Sequence, residues 1–383
     1  MTISVWQELA EPPQQAEHDV TVVGAGIAGC YIARMLVSAG KDVALVDARQ
    51  VAAGASGRNA GMVLTGMRHF YSDAIAMFGA GTAKEIWQLT VENRQRLLSD
   101  CRELGVEYTT TPFHYIAHDD PGARDLEASA LALQRDGFDA EYQDGDPTHR
   151  GFRAALVVDG EVMLQPAEFT KRLAQGSGAT IYEHSEVYEL RPDGAGITVF
   201  SRRAAIRCGA VVLALNGYAP QFDPYFESLI LTARAQALVT GPIERLAEVP
   251  AIVTKTPDGP YYYRQLDDGR MLFGGGRGAN VADEFTLADH TTPSVQGTIE
   301  GFIKDFFPEA AWTITSRWAG FLGFTADFVP VVGSMPGEPR ICFVGGFSGN
   351  GFSIVLIAAE RTVDLILNRA GAGIPGAHRL TDS

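Results

Sequence analysis

The chain has 383 residues, a formal net charge of −15 at pH 7 and a hydrophobic content of 46%. This length exceeds what one simple core accommodates and predicts two domains. The negative charge argues against nucleic acids and anionic membrane surfaces as partners, because both are bound through basic patches.

Cysteine and histidine usage argues against disulfides and metal sites. The four cysteines, Cys30, Cys101, Cys208 and Cys342, are far apart in the sequence, and the eight histidines form no His-x-His or His-Glu-x-x-His pair. We therefore expect reduced thiols and no metal. The N-terminal segment is polar and unlike a signal peptide, and no stretch of about eighteen residues is apolar throughout. We expect a cytoplasmic protein.

The first predicted element is a β-branched strand over residues 19–23, which leads into Gly24, Gly26 and Gly29 with the spacing Gly-x-Gly-x-x-Gly. A helical pattern follows, and then a second apolar strand at residues 43–46. This order predicts a βαβ dinucleotide-binding unit. Its first glycine makes the tight turn, the second admits a pyrophosphate, and the third lets the helix pack on the strand.

Asp47 ends the second strand, where a carboxylate accepts hydrogen bonds from the ribose hydroxyls of an adenosine. A carboxylate at this position disfavours a 2′-phosphate, so NADP is not expected. The fingerprint alone does not distinguish FAD from NAD, and a glycine-rich turn without a ligand is the alternative interpretation.

The segment that follows, "GASGRNAGM" at residues 54–62, is a loop of small residues with one arginine and one asparagine. It resembles the flavin loop of the D-amino-acid oxidase superfamily of FAD enzymes. Within that superfamily it is similar to the amine-oxidising branch typified by gamma-glutamylputrescine oxidoreductase, glycine oxidase and monomeric sarcosine oxidase. The resemblance extends to residues 159–174, 208–220, 317–333 and 345–353.

The resemblance implies an α/β chain (α+β in its two-domain arrangement), with a Rossmann-like FAD-binding domain and a second, antiparallel-sheet substrate domain. The FAD-binding domain is then discontinuous, at residues 1–84, 151–217 and 312–383, and the substrate domain takes residues 85–150 and 218–311. Within the substrate domain we expect a helix that ends before Gly105 and another that ends before Pro308. Turns are expected at Asp258-Gly259 and Asp268-Gly269.

The resemblance also assigns the cofactor contacts. They are Gly24, Gly26, Ile27, Ala28, Gly29, Asp47, Ala48, Arg49, Ser56, Gly57, Arg58, Asn59, Ala60, Gly61, Met62, Val187, Asn216, Gly217, Gly320, Gly346, Gly349, Asn350, Gly351 and Phe352. In the family the valine matching Val187 contacts the adenine through its backbone, and Asn216 replaces a more common threonine. No cysteine lies between residues 312 and 340, where some sarcosine oxidases attach FAD, so the resemblance implies non-covalent FAD.

The segment "GGFSGNGFS" at residues 345–353 places glycines immediately before a predicted helix. A helix N-terminus exposes backbone N–H groups and the positive end of the helix dipole. By the resemblance, this turn faces the pyrimidine edge of the flavin, which becomes anionic on reduction. The turn would therefore raise the reduction potential. An ordinary glycine-rich helix entry is the alternative.

The substrate candidates come from three segments. In glycine oxidase and its relatives an arginine binds the substrate α-carboxylate, and Leu322 occupies that position here. The resemblance therefore implies that a simple α-amino acid is not held in that way, unless Arg264 replaces the missing cation. Strand alternation places Tyr262 and Arg264 on one face, with Tyr261 and Tyr263 on the other. The remaining catalytic candidates are Trp318, Asn350 and His69.

The expected activity is oxidation of the C–N bond of a primary or secondary amine by hydride transfer to flavin N5, with the imine then hydrolysed. One alternative is a D-amino acid or 2-hydroxy acid oxidase or dehydrogenase, and another is a flavoprotein subunit without catalysis. The partners are then a small amine or amino acid and an electron acceptor. In oxidases of the family a lysine near the flavin activates oxygen, and residues 269–276 contain no lysine. The electron acceptor is therefore either oxygen or another molecule.

Overall fold

The computed structural model describes residues 14–244, 250–254, 256, 258–308 and 312–369. The polar segment before residue 14 and the outer ends of the predicted FAD-binding domain lie outside these residues. The helices are α1 (Ile27–Ser38), α2 (Ala55–Arg58), α3 (Tyr71–Phe78), α4 (Ala80–Leu104), α5 (Asp120–Arg135), α6 (Pro166–Gln175), α7 (Ala219–Phe222), α8 (Pro293–Phe306) and α9 (Gly351–Ile366).

The strands are β1 (Gln14–Glu17), β2 (Val20–Val23), β3 (Val43–Val46), β4 (Met62–Val63), β5 (Tyr108–Ala117), β6 (Ala140–Asp144), β7 (Ala154–Leu164), β8 (Thr180–Tyr182), β9 (Val187–Pro192), β10 (Ile197–Ser201), β11 (Ala204–Cys208), β12 (Ala210–Leu213), β13 (Leu231–Pro242), β14 (Ala251–Thr254), β15 (Tyr261–Gln265), β16 (Arg270–Gly275), β17 (Ile314–Phe324), β18 (Val331–Met335) and β19 (Glu338–Gly345).

A six-stranded sheet with the order β18-β19-β12-β2-β3-β8 forms the first half of the molecule. All of its neighbouring pairs are parallel except β18 with β19. Every residue of β2 and β3 is buried, as expected for strands covered on both faces. Val22 packs on the side of α1 and α9, and Val23 on the side of the small sheet β1-β11-β10-β9.

The second half is a larger sheet with the order β17-β13-β16-β15-β14-β5-β7-β4, to which β6 adds on β7. Its pairs are antiparallel except β14 with β5. Helix α8 covers one face, where Tyr261 and Tyr263 join Phe273 and Phe302 in a separate core. Tyr262 and Arg264 lie on the opposite face and are only half-buried, so the predicted alternation is confirmed.

Local signals in the sequence match the observed element ends. Helix α4 ends at Leu104, and Gly105 adopts the left-handed conformation with φ +64°. Helix α8 ends at Phe306, one residue earlier than the predicted helix. The Asp258-Gly259 and Asp268-Gly269 turns join β14 to β15 and β15 to β16, each an antiparallel pair. The mixed α/β architecture predicted from the sequence is therefore confirmed.

The domain boundaries stay a prediction. The sheets divide the chain differently, because β7 (Ala154–Leu164) and β17 (Ile314–Phe324) belong to the large sheet although both fall in the segments assigned to FAD binding. Strand membership and domain membership consequently do not coincide at these two segments, nor at β4 (Met62–Val63), which falls in residues 1–84 and joins the large sheet.

The four cysteines are free and buried. Across the described ranges, no three His, Cys, Asp or Glu side chains come together in a group suited to a metal ion. Among the helices that the structure describes, none is both long enough and apolar enough to cross a lipid bilayer.

Candidate active site

The fingerprint glycines form a tight turn between β2 and α1. Gly24 has φ +108°, and a Cβ there would lie 2.6 Å from Ala214 O, while a Cβ at Gly29 would lie 1.9 Å from Gly24 O. Gly26 is the N-cap of α1 and supplies no side-chain cap. A Cβ at Gly26 would meet only Ser56 Oγ, at 3.1 Å. The space in front of the helix N-terminus therefore suits an anion that approaches the backbone closely.

Asp47 follows β3 and lies beside this turn. Its Oδ2 accepts a hydrogen bond from Ala25 N at 2.8 Å, and its Oδ1 accepts one from Arg49 N at 2.8 Å. Burial raises the pKa of the Asp47 carboxyl, and these backbone N–H groups oppose the rise. Ser185 N donates to Asp47 O at 2.8 Å, which brings the start of β9 at Val187 close to the carboxylate. Both residues thus lie where an adenosine is expected.

The loop at residues 54–62 folds around the side chain of Asn59. Its Oδ1 accepts from Gly61 N at 2.7 Å, and its Nδ2 donates to Ala55 O and Ser56 O, each at 3.0 Å. Gly61 has φ +69°, and a Cβ there would lie 2.1 Å from Leu164 O. The asparagine therefore has a structural role in shaping the loop, alongside the cofactor contact predicted for it.

Arg58 and Trp318 fasten this loop to β17. Trp318 Nε1 donates to Arg58 O at 2.8 Å, and Arg58 Nη1 donates to Ala319 O at 2.9 Å. Arg58 Nη1 also donates to Asp289 Oδ1 at 2.6 Å. Asp289 lies in the connection to α8, on the substrate side of the predicted boundary. The polar groups of Arg58 and Trp318 are thus engaged with protein partners.

The glycine turn before α9 lies beside the parallel sheet. Asn216 Oδ1 accepts from Gly346 N at 3.0 Å, and Ser348 N donates to Gly323 O at 2.8 Å. Asn350 is the N-cap of α9 and makes no side-chain cap hydrogen bond. Gly349 is exposed, has φ +92°, and a Cβ there would lie 4.0 Å from Leu322 Cδ1. The second helix N-terminus is therefore also open to an electron-rich group.

Helix α9 is held in place by α4. Asn93 Nδ2 donates to Phe352 O at 2.8 Å, and Asn93 Oδ1 accepts from Leu356 N at 2.8 Å. Asn93 is fully buried. Because one side chain satisfies two backbone groups in the first turns of α9, it fixes where the helix N-terminus points.

Arg264 turns towards the flavin loop. Its Nη1 donates to Gly61 O at 3.1 Å and to Leu164 O at 3.3 Å, while its Nε is buried without a partner among the described residues. Part of its guanidinium therefore fastens β15 to the loop. Its predicted role as a carboxylate anchor would have to use the remaining nitrogens.

Two arginine side chains lie beside the ring of Phe324 at the end of β17. The Arg277 Cζ lies 4.6 Å from the ring centroid, and the Arg68 Cζ lies 5.7 Å from it. Tyr262 pairs with Gly274 across β15 and β16, three residues before Arg277. Burial raises the pKa of Tyr262 to about 12, and the charge of Arg277 opposes that rise. The ring of His69 packs against Phe328 at 4.7 Å. We call Arg68, Arg277, Tyr262 and Phe324 the arginine cluster.

The arginine cluster lies next to the glycine turn, because Phe324 forms an isolated antiparallel bridge with Phe347. The sequence analysis named Tyr262 and His69 but missed both arginines and Asp289. Two features of the sequence could have pointed to these arginines. Arg68 directly precedes His69, and Arg277 follows the glycine run at residues 274–276. Neither signal specifies that the two segments meet.

The residues present fit a flavin dinucleotide. One uncapped helix N-terminus, at Gly26, has the close backbone approach that a pyrophosphate needs, with Asp47 beside it. A second one, at Asn350, follows Phe347, which forms an isolated bridge with Phe324 at the end of β17. Helices α1 and α9 pack against each other. The individual cofactor contacts stay predictions.

Comparisons with known proteins agree with this geometry. Residues 19–365 match the DAO family model, described as FAD dependent oxidoreductase. A probable oxidoreductase OrdL of Rhizobium meliloti is 25% identical over 377 residues. The match covers 94% of this chain and 85% of the length of that protein. Gamma-glutamylputrescine oxidoreductase of Escherichia coli is 23% identical over 367 residues. The match covers 91% of this chain and 83% of the length of that protein.

Among solved structures, glycine oxidase from Geobacillus kaustophilus superposes with a TM-score of 0.80 at 17% identity, covering 96% of this chain and 99% of that chain. This likeness concerns the fold alone. The family match spans nearly all of the described residues, and it includes both helix N-termini and the strands between them. On that match the chain belongs to the DAO family of FAD-dependent oxidoreductases.

Proposed function

We propose that this FAD-dependent oxidoreductase oxidises the C–N bond of a primary or secondary amine to an imine, which water then hydrolyses. Two relatives support the proposal, since gamma-glutamylputrescine oxidoreductase and glycine oxidase are both similar along most of their length. Leu322, which lies beside the glycine turn, supports a substrate that is not held by an arginine at that position.

The observation that carries the proposal is the cationic environment at Phe324. Two guanidinium groups lie within 6 Å of one ring, at 4.6 and 5.7 Å. A positive field lowers the pKa of a nearby ammonium group and therefore favours the neutral amine. The neutral form is the one that reacts, because the nitrogen lone pair becomes the second bond of the imine as hydride leaves the adjacent carbon.

When bound, FAD supplies the two-electron acceptor for that hydride. We assign its adenine-nucleotide half to the turn at Gly24–Gly29 and to Asp47. We assign its flavin half to the loop at residues 54–62 and the turn at residues 345–351. The uncapped N-terminus of α9 would supply the positive end of a helix dipole to a flavin held there, an effect worth about 0.3–2 kcal/mol for a nearby negative charge.

The protein's own residues exclude water and orient the substrate. Phe324 and Phe328 provide an apolar surface, with Arg68 within 5.9 Å of both rings. Burial lowers the pKa of His69, so its imidazole is neutral at pH 7. His69 is then able to accept a proton from an arriving ammonium group through its Nε2, which has no hydrogen-bond partner in the part of the chain that the structure describes.

The test is anaerobic mixing of purified, FAD-loaded protein with four substrate groups: polyamines, N-methyl amino acids, D-amino acids and 2-hydroxy acids. The visible flavin band is followed at each concentration. We expect bleaching by amines. Bleaching by D-amino acids or 2-hydroxy acids alone would replace the amine proposal with the alternative activity. FAD that is bound and never bleached would indicate a flavoprotein without amine oxidation. Reoxidation on admitting air would then distinguish oxygen from another acceptor.

A further inference from the structure

A partly enclosed cavity lies beneath the segment that joins β4 to α3. Met67, Arg68 and His69 line it from that segment, and Trp87 and Val91 line it from α4. Its volume is about 70 Å³. Among the described residues, neither the fingerprint glycines nor the glycine turn before α9 lines it. We call this space the Trp87 cavity.

The floor of the Trp87 cavity is the face of the large sheet that carries Tyr262 and Arg264. Tyr262 pairs with Ile252, Ile252 pairs with Tyr115, and Tyr115 pairs with Leu156. Directly paired residues place their side chains on the same face of a sheet. Tyr115 and Leu156 both line the cavity. The cavity therefore lies on the same face as Tyr262, further along the sheet towards β7.

Arg68 and His69 connect the Trp87 cavity to the candidate active site. Both residues line the cavity. Arg68 also lies 5.7 Å from the ring centroid of Phe324, and His69 packs on the ring of Phe328 at 4.7 Å. In the proposed function His69 accepts the proton of the arriving ammonium group. A group attached to the substrate carbon beside that nitrogen can therefore extend from His69 into the cavity.

Packing against the backbone fixes the aromatic wall of the cavity. Gly66 has φ +90°, and a Cβ there would lie 2.5 Å from Trp87 Cε2. On another side, the ring centroid of Tyr71 lies 4.9 Å from that of Trp87. Because the indole is held between these two neighbours, the space beside it is formed before a substrate arrives. A preformed cavity binds a matching group without a cost for ordering its walls.

A buried ion pair anchors the segment that covers the cavity. Glu161 is 1% exposed and accepts hydrogen bonds from Thr65 N at 2.9 and 3.0 Å. Arg94 Nη1 donates to Thr65 Oγ1 at 2.7 Å and lies 3.0 Å from Glu161 Oε1. Arg94 lines the cavity, and Glu161 balances its charge. Asp139 and Asp159 also belong to the lining, but both are exposed to solvent at the rim.

The enclosed part of the lining is suited to an uncharged, apolar group. Leu133, Leu156 and Val158 add aliphatic side chains to the aromatic wall. Its size also limits the kind of group. An apolar cavity of about 150 Å³ holds a benzene ring, and the Trp87 cavity has about 70 Å³. A short alkyl chain therefore fits, whereas an aryl ring does not.

We propose that the Trp87 cavity binds a short alkyl arm of the substrate amine. The arm is attached to the carbon beside the reacting nitrogen and has about two or three carbons, since a water-sized unit takes about 30 Å³. This inference rests on the proposed function and deepens it, because it specifies the substrate class as a small aliphatic amine and excludes aryl amines.

The test uses a homologous series of unbranched primary amines, from ethylamine to hexylamine, together with benzylamine. Each amine is titrated into the FAD-loaded protein by calorimetry, and the rate of anaerobic flavin bleaching is measured separately. The variants are Val91→Ala, which enlarges the cavity, and Val91→Phe, which fills it. Leu131→Ala and Leu131→Phe are the matched controls, because Leu131 is 60% exposed on α5 and lies two residues before the cavity-lining Leu133.

In the wild type we expect the Kd to fall about fourfold for each added methylene. The fall should stop at about three or four carbons, and benzylamine should bind more weakly than propylamine. Val91→Ala should move the tightest-binding amine to a longer chain, and Val91→Phe should move it to a shorter one. Both Leu131 variants should match the wild type. If Val91→Phe does not fold because it is overpacked, then Val91→Ala decides the question.

The same dependence on chain length in the wild type and in Val91→Ala would overturn the inference, because the arm would then lie elsewhere. Tighter binding of benzylamine than of propylamine by the wild type would also overturn it. Failure of the proposed function has a different signature. A chain-length optimum that moves with residue 91, in a protein that no amine bleaches, would sustain the cavity and reject amine oxidation.

Discussion

Asn216 Oδ1 accepts a hydrogen bond from Gly346 N at 3.0 Å, across 130 residues of sequence. The same oxygen accepts from Phe347 N at 3.3 Å. Asn216 itself has φ +46°, a left-handed conformation that asparagine tolerates better than most residues. One side chain therefore connects the end of β12 to the glycine turn, and the turn's position depends on it.

Replacing Asn216 tests that dependence. Asn216→Ala should lower the free energy of unfolding by about 1–3 kcal/mol, because two backbone N–H groups lose their acceptor. It should also weaken FAD retention. Asn216→Asp keeps an acceptor and should behave closer to the wild type. Asn216→Gly removes the side chain but accepts the positive φ, so it separates the loss of the hydrogen bonds from any backbone strain. Urea unfolding and the FAD content after gel filtration are the measurements. An alanine variant with unchanged stability would contradict the prediction.

Gly26 is the position at which a single methyl group should block the cofactor without unfolding the protein. A Cβ there would meet only Ser56 Oγ, at 3.1 Å, so the apoprotein accommodates it. The methyl group would nevertheless occupy the approach to the N-terminus of α1. Gly26→Ala should therefore keep the apoprotein melting temperature within a few degrees and lose FAD binding.

The matched control for that variant is Gly81→Ala. Gly81 lies in the first turn of α4, and no atom lies within 4 Å of a Cβ built there. This variant should bind FAD as the wild type does, and the added methyl group should be neutral or slightly stabilising. Loss of FAD in both variants would show that the Gly26 effect is not specific.

Asp47 should make FAD binding dependent on pH. Its carboxylate must be ionised to accept two ribose hydroxyls, and burial raises its pKa above 3.8. FAD affinity should therefore fall as the pH decreases through this raised pKa, at a higher pH than an ordinary aspartate would give. Asp47→Asn should raise the FAD Kd about tenfold and flatten this pH dependence. Equilibrium titration of apoprotein with FAD is the measurement, with the exposed Asp268→Asn as control.

His69 should make the fold sensitive to acid. Burial lowers its folded-state pKa below 6.5, while Asp73 and Asp327 raise it and Arg68 lowers it further. Above about pH 6.5 the imidazole is neutral in both states and contributes nothing to the pH dependence. As the pH falls below that value the unfolded chain takes up the proton first, so stability decreases towards the folded-state pKa.

His69→Gln should therefore reduce the loss of stability between about pH 6.5 and pH 5. Urea midpoints measured across this range for both proteins provide the test. His184→Gln is a suitable control, because this histidine lies on the loop between β8 and β9 and is not a member of the arginine cluster. Parallel pH profiles for the wild type and His69→Gln would show that His69 does not titrate as argued.

Much of the fold followed from local signals in the sequence. The strand–glycine–helix order at residues 19–40 and Asp47 on the next strand indicate a βαβ unit, since each part has a steric or electrostatic reason. Tyr262 and Arg264 share a face because side chains on a strand alternate. Gly105 ends α4 because it accepts a positive φ.

The remaining features depend on contacts between distant segments. Arg68 and Arg277 are 209 positions apart in the numbering and meet only because Phe324 lies between them. Arg264 turns to the carbonyls of Gly61 and Leu164, which alternation does not specify. Strand β17 follows its hydrogen-bonding partner β13 into the large sheet, and nothing in its local sequence indicates that choice.

The order of the parallel sheet has a consequence for synthesis. Strand β12 lies between β2, formed from residues 20–23, and β19, which ends at Gly345. A growing chain can therefore pair β2 with β3 early, but it cannot cover the outer edge of β12 until the ribosome has passed residue 345. The nascent protein exposes that edge from the synthesis of β12 (Ala210–Leu213) until β19 is complete at Gly345, and the cofactor's two helix N-termini come together only at the end.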